Sequence, residues 1–144
     1  MYAWFVILAF IGLLAFSPLE IQQSQKMLDP GRVAGGSWKS EEFARYRTKA
    51  LRFVQNNPTV NNRLLTDSEV GMTPHGDVAA RIQGNILYVY STLSGEEQAR
   101  AKELLHNSLA IGQNNSGIFD NGVGAYSLPG FVPNADTVSV VKVR

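Results

Sequence analysis

The hydrophobic pattern of the chain changes character once, near residue 20. Residues 1–19 contain no ionisable side chain, and only Gly12, Ser17 and Pro18 fall outside the apolar set. A helix of that length would span roughly 28 Å at ~1.5 Å per residue, close to the ~30 Å hydrocarbon core of a bilayer. The segment, with Tyr2, Trp4, Phe5, Ile7, Leu8, Phe10, Ile11, Leu13, Leu14 and Phe16, therefore predicts a membrane anchor in contact with lipid. Tyr2 and Trp4 suit the headgroup level at one end, and Pro18 with Glu20 marks the other. A cleaved signal peptide fits less well. No Lys or Arg precedes the apolar run, and bulky Phe16 and Leu19 surround any cleavage point.

Downstream the pattern is polar and interrupted. Gln22-Gln23-Ser24-Gln25, Asp29-Pro30-Gly31 and Gly35-Gly36-Ser37 read as a juxtamembrane stalk over residues 20–39, ahead of a soluble domain over 40–144. Ser40 followed by Glu41 and Glu42 predicts a capped helix start. Phe43, Tyr46, Ala50, Leu51 and Val54 form its apolar stripe, and Asn56-Asn57-Pro58 ends it. Arg45, Lys49 and Arg52 fall off that stripe, as a solvated face would. Residues 58–77 are irregular in pattern, with short turns around Arg63-Leu64-Leu65 and Val70-Gly71-Met72.

Arg81 to Tyr90 reads as one strand, with Ile82, Gly84, Ile86, Tyr88 and Tyr90 on one face and Leu87 and Val89 on the other, and with Gly84 suggesting a bulge or a close backbone approach. Ser94-Gly95-Glu96-Glu97 matches a capping box, and Ala101, Leu104, Leu105 and Ser108 carry that helix towards Gly112. Ile118-Phe119 and Val123 flank a hairpin turn at Asp120-Asn121-Gly122, and Thr137 to Val143 alternates as a terminal strand. The sum is an α+β chain: an N-terminal transmembrane helix, then a small domain with an antiparallel sheet and two or three helices.

Composition narrows the chemistry. The chain has 144 residues, enough for one modest domain, and 13 Lys+Arg against 12 Asp+Glu give a net charge of +1. Near-neutrality without a basic stripe argues against nucleic acid as a partner. The absence of cysteine removes disulfides, thiolate metal sites and cysteine nucleophiles. No phosphate loop, H-E-x-x-H or dinucleotide fingerprint is present. The chemistry on offer is His75 near Asp77 in Thr73-Pro74-His75-Gly76-Asp77, or a carboxylate such as Glu96. A membrane-anchored hydrolase would need those groups to converge in a cleft.

A small-ligand-binding domain would need a concave apolar pocket beside Tyr88 and Tyr90. Asn114-Asn115-Ser116 matches a glycosylation acceptor, although a turn explains it as well. Tyr126, Leu128 and Phe131, in a stiff segment rich in Gly and Pro, would dock another protein if exposed and would cover the sheet if buried. The sequence leaves both readings open. No catalytic, cofactor-binding or metal-ligating residue is assigned, and no cofactor is expected.

Several of these features occur together in one family. The uncharged opening, the Gly71-Met72 turn before Pro74-His75-Gly76, the Tyr88-Val89-Tyr90 strand and the Ser108-Leu109-Ala110-Ile111-Gly112 segment resemble the small PilM proteins of plasmid-encoded type IVb thin-pilus systems. The resemblance covers nearly the whole chain. It implies a non-enzymatic, single-pass inner-membrane component of a conjugative pilus assembly apparatus or basal body, with a periplasmic domain. It also implies other pilus-assembly membrane proteins as partners, with oligomerisation open, and brings no catalytic residue. The positive-inside rule leans the other way, since Lys26 and Arg32 follow the anchor, but whole domains translocate despite so small a bias. A pilin or pseudopilin fits poorly, because a basic leader is missing and Phe5 stands where such subunits carry Glu.

Overall fold

A computed structural model describes residues 37–143. The anchor residues Tyr2 to Phe16 and most of the expected stalk lie outside the described residues. Among the described residues no helix is long and apolar enough to cross a membrane.

Helix α1, Ser37–Asn56, forms because its apolar residues recur at helical spacing. Phe43, Tyr46, Ala50 and Val54 are all buried along one face. Ser40 is not the cap expected of it, for the helix is already running at Ser37. Its buried hydroxyl instead donates to the Glu97 carbonyl at 2.8 Å, fastening α1 to a second helix.

The remaining elements are β1 (Arg63–Leu64), α2 (Asp67–Val70), β2 (Ala79–Gln83), β3 (Ile86–Ser91), α3 (Gly95–Leu104), β4 (Ile111–Asn115), β5 (Ile118–Asp120), β6 (Ala125–Ser127) and β7 (Thr137–Lys142). The predicted capping box at Ser94 and Glu97 starts α3. A second box, Thr66 with Glu69, starts the one-turn α2, which Gly71 ends in a left-handed conformation at φ 72°.

The strands make a seven-stranded sheet, wholly antiparallel, in the order β1-β2-β3-β7-β4-β5-β6. The last strand in sequence is thus central: β7 pairs β3 on one side and β4 on the other. The α+β expectation of helices on an antiparallel sheet holds for the domain.

Three local expectations change. Residues 81–90 are a hairpin, not one strand, because Gly84 (φ 60°) and Asn85 form a two-residue turn between Gln83 and Ile86. Glycine first in such a turn matches the right-handed twist of the flanking strands. Ile82 therefore pairs with Leu87 and points with it and Val89 towards the helices, while Arg81 pairs with Tyr88 on the opposite face.

Second, α3 stops at Leu104 with His106 and Asn107 in left-handed conformations, and residues expected to extend it become β4. Glycine, glutamine and asparagine are poor strand formers, so β4 owes its state to pairing with neighbours on both sides. Third, the hairpin after Asp120 returns at Ala125–Ser127. The Asn121 carboxamide oxygen accepts the N–H groups of Val123 and Gly124, which places Val123 in the loop.

Each sheet face has its own core. Ala80, Ile82, Leu87, Val89 and Ile111 pack against α1 and α3. Tyr88, Phe119, Val132 and Val138 form the second cluster, which Leu128 and Phe131 overlie from the segment before β7.

Candidate functional site

The Thr73–Asp77 turn is built by the backbone. Glu42, buried on α1, accepts the His75 N–H at 2.5 Å through Oε1 and the Gly76 N–H at 2.9 Å through Oε2. The His75 ring is left exposed. Asp77 turns the other way, accepting the Ser91 hydroxyl at 2.8 Å and the Thr92 N–H at 3.1 Å. Burial pushes the Asp77 carboxyl up, but hydrogen bonds from Thr92 and Ser91 together hold it below its ordinary value.

Thr92 also donates from its hydroxyl to Asp136 at 3.1 Å. Burial and the negative charge of Asp77 raise the Asp136 carboxyl despite that bond. No hydrogen bond joins the His75 side chain to Asp77, and Glu96 is exposed in the first turn of α3. Asp77 and Asp136 are thus held at the Ser91–Thr92 corner, and no hydrogen bond joins His75, Asp77 and Glu96 into an acid–base pair. Among the described residues no cluster of three His, Asp or Glu is placed to hold a metal ion.

The face beside Tyr88 and Tyr90 is filled by Phe131. Its ring meets Tyr88 edge-on at 5.3 Å between centroids and lies 6.3 Å from Tyr90, with the Arg81 guanidinium 4.6 Å from its own centroid. Burial raises the hydroxyls of both tyrosines. Asn114, buried in β4, fixes the covering segment. Its Nδ2 donates to the carbonyls of Val132 and Pro133 at 2.9 Å each, and its Oδ1 accepts the Gly117 N–H at 2.7 Å. The glycosylation-like triplet is therefore the end of β4, with only Ser116 in the turn that follows, and its asparagine amide is already occupied.

Of the three residues singled out as a partner surface, Leu128 and Phe131 are half-buried against the second cluster. Tyr126 is 46% exposed, stacked on Phe119 at 4.7 Å. It lies on β6, an edge strand whose three residues are all exposed. The Leu128 N–H donates to the Gly117 carbonyl at 2.8 Å, so by antiparallel alternation the backbone groups of Ala125 and Ser127 face away from β5. Composition gave no signal for this edge, because β6 is only three residues long.

A second surface feature includes the basic residues of α1. A groove of about 550 Å³ runs between α1 and the end of α3, walled by Arg45, Lys49 and Arg52 and floored by Ala44, Leu104 and Leu105. The 4-and-3 spacing of its cations was visible, but the apolar floor comes from a helix that is distant in sequence.

The model of one family, PilM, matches residues 6–140. The chain belongs to the PilM family. A crystal structure of a PilM protein from Escherichia coli B7A superposes with a TM-score of 0.61 at 15% identity, covering 73% of this chain and 89% of that one. At that identity the likeness concerns the fold. No curated protein matches the sequence. Two exposed features of this PilM-family domain are thus an edge strand bearing Tyr126 and a cationic groove.

Proposed function

We propose that this PilM-family chain is a non-enzymatic inner-membrane component of a conjugative type IV pilus assembly apparatus or basal body, and works by binding other machinery proteins. The family match over residues 6–140 carries this reading, since it runs from inside the apolar opening to the central strand β7. Family membership supports work in a pilus system. The engagement of Glu42, Asp77 and Asn114 in holding turns supports a binding role over a catalytic one.

In this reading residues 1–19 cross the inner membrane once and the domain stands in the periplasm. Tyr126, backed by Phe119 and flanked by the open edge of β6, meets the partner proteins, together with the half-buried Leu128 and Phe131. The same edge could pair with a second copy, which allows oligomerisation.

The experiment is site-specific photo-cross-linking from position 126 of the full chain in piliated cells, followed by identification of the adducts. Adducts with pilus-assembly membrane proteins are expected, and loss of piliation on deleting the chain accompanies them. Normal piliation without the chain would sink the proposal. An alkaline phosphatase fusion after Arg144 should be active, and an inactive fusion would overturn the periplasmic placement.

A further inference from the structure

We infer that the groove between α1 and α3 binds an acidic amphipathic helix of another protein, a deduction that rests on the docking role proposed above. Arg45, Lys49 and Arg52 are spaced four and three residues apart, so they line one side of α1 over roughly 10 Å of axis. Ala44, Leu104 and Leu105 supply an aliphatic floor between the helices. A partner helix with acidic residues at the same 4-and-3 spacing and leucines between them would match both patterns. Leucines would seat on the floor while carboxylates met the cations.

The positive charge is local. Setting aside Glu20, Lys26, Asp29, Arg32 and Arg144, the chain has ten basic and ten acidic side chains. The groove nonetheless holds three cations and one acid, Glu41.

Those cations are available. Arg45 meets Glu41 at 3.7 Å in an exposed pair, which solvent screens and a partner carboxylate can replace. Lys49 donates to the Gly71 carbonyl at an exposed site, and Arg52 has no ionic or hydrogen-bond partner among the described residues. The cations are exposed while Ala44 is buried and Leu104 and Leu105 are half-buried, so a flat lipid surface would meet the charges without the aliphatic residues, which favours a helix over a membrane.

The test uses the full chain in detergent micelles and a labelled 18-residue helical peptide with Glu at 4-and-3 spacing flanking Leu, followed by fluorescence anisotropy. Saturable binding is expected, weakening as salt rises. It should weaken at least tenfold in R45Q/K49Q/R52Q, and equally when the peptide's Glu residues become Gln, a change that leaves the protein untouched. A scrambled peptide of equal charge that binds as well would overturn the inference. So would dimerisation that the same three substitutions abolish, or binding of anionic vesicles with no binding of the peptide.

In cells, R45Q/K49Q/R52Q should reduce piliation. If deletion of the chain abolishes pili and the triple variant does not, the groove assignment alone fails. If deletion has no effect, the docking role itself fails.

Discussion

Glu42 grips His75 through the backbone, not the ring, with Oε1 2.5 Å from the His75 nitrogen. The same carboxylate takes the next N–H at Gly76, so one buried side chain on α1 sets the path of the loop entering β2. Removing it strands two donors in a half-buried place. Glu42→Ala should cost about 2–3 kcal/mol and Glu42→Gln about half as much, read from urea unfolding. His75→Ala, which leaves that grip intact, should stay within about 0.5 kcal/mol of wild type. Equal losses from the two alanine variants would show that the ring matters after all.

Gly112 tests the packing of β4 on β5. A Cβ there would overlap the Asp120 carbonyl oxygen and lie 2.8 Å from the Phe119 ring. Both belong to a paired neighbour strand that cannot withdraw alone. Gly112→Ala should destabilise by about 1–3 kcal/mol. Gly95, the first residue of α3, has nothing within 4 Å of its added carbon. Gly95→Ala should therefore stabilise by about 0.4–1 kcal/mol. Thermal unfolding of the two variants checks the contrast.

How far these features could be read in advance depends on their range. The apolar stripe of α1 and the Ser94–Glu97 box are local, and both were legible. The Gly84-Asn85 turn and the Thr66–Glu69 box were also local, yet each lies beside a stronger pattern that hid it. An unbroken Ile/Leu/Tyr/Val run masks the turn, and the irregular stretch after Pro58 masks the box. Strand β4 could not be read locally at all, since Ile111-Gly112-Gln113-Asn114-Asn115 is extended only because β7 and β5 flank it. The exposed Tyr126 and the half-buried Phe131 differ for the same reason. They are similar in sequence, but only Phe131 meets Tyr88.

Asn114 joins β4 to the segment that covers the second cluster. Asn114→Asp removes two donors and points a carboxylate at the carbonyls of Val132 and Pro133. Its destabilisation at neutral pH should reach about 3 kcal/mol or more, and shrink in acid as the new carboxyl takes a proton. Hydrogen exchange at Ala135, whose N–H donates to the Asn114 carbonyl at 2.8 Å, should accelerate in parallel. Unchanged exchange there would separate the covering segment from Asn114.

Two carboxylates should respond to pH with opposite sign. The Asp136 carboxyl is raised above its ordinary 3.8 by burial and by Asp77, so the folded state holds that proton more tightly than the unfolded one. Its contribution is present below 3.8 and is lost as pH rises through the raised folded value. Asp136→Asn should then be more stable than wild type at pH 7, with the advantage gone at pH 3. Glu69, hydrogen-bonded to Arg63 at 2.5 Å, is held down at about 2 from 4.5. Its contribution is present above 4.5 and fades as pH falls towards 2. Arg63→Gln should raise Glu69 in an NMR titration without returning it fully to the ordinary carboxylate range, because the Thr66 N–H and hydroxyl still donate to it.

Phe131 and Tyr126 should separate folding from docking. Phe131 fills the space over Tyr88 and Tyr90, so Phe131→Ala opens the second cluster and should cost about 2 kcal/mol in chemical unfolding. Tyr126 has one stacking neighbour, Phe119, and 46% of its surface free. Tyr126→Ala should cost about 1 kcal/mol, the worth of a single aromatic pair. Its effect on piliation should nevertheless be the larger of the two at growth temperatures where both variants stay folded, because the exposed ring and the open β6 edge are what a partner would touch. Piliation that tracks stability alone across the two variants would remove Tyr126 from the docking surface.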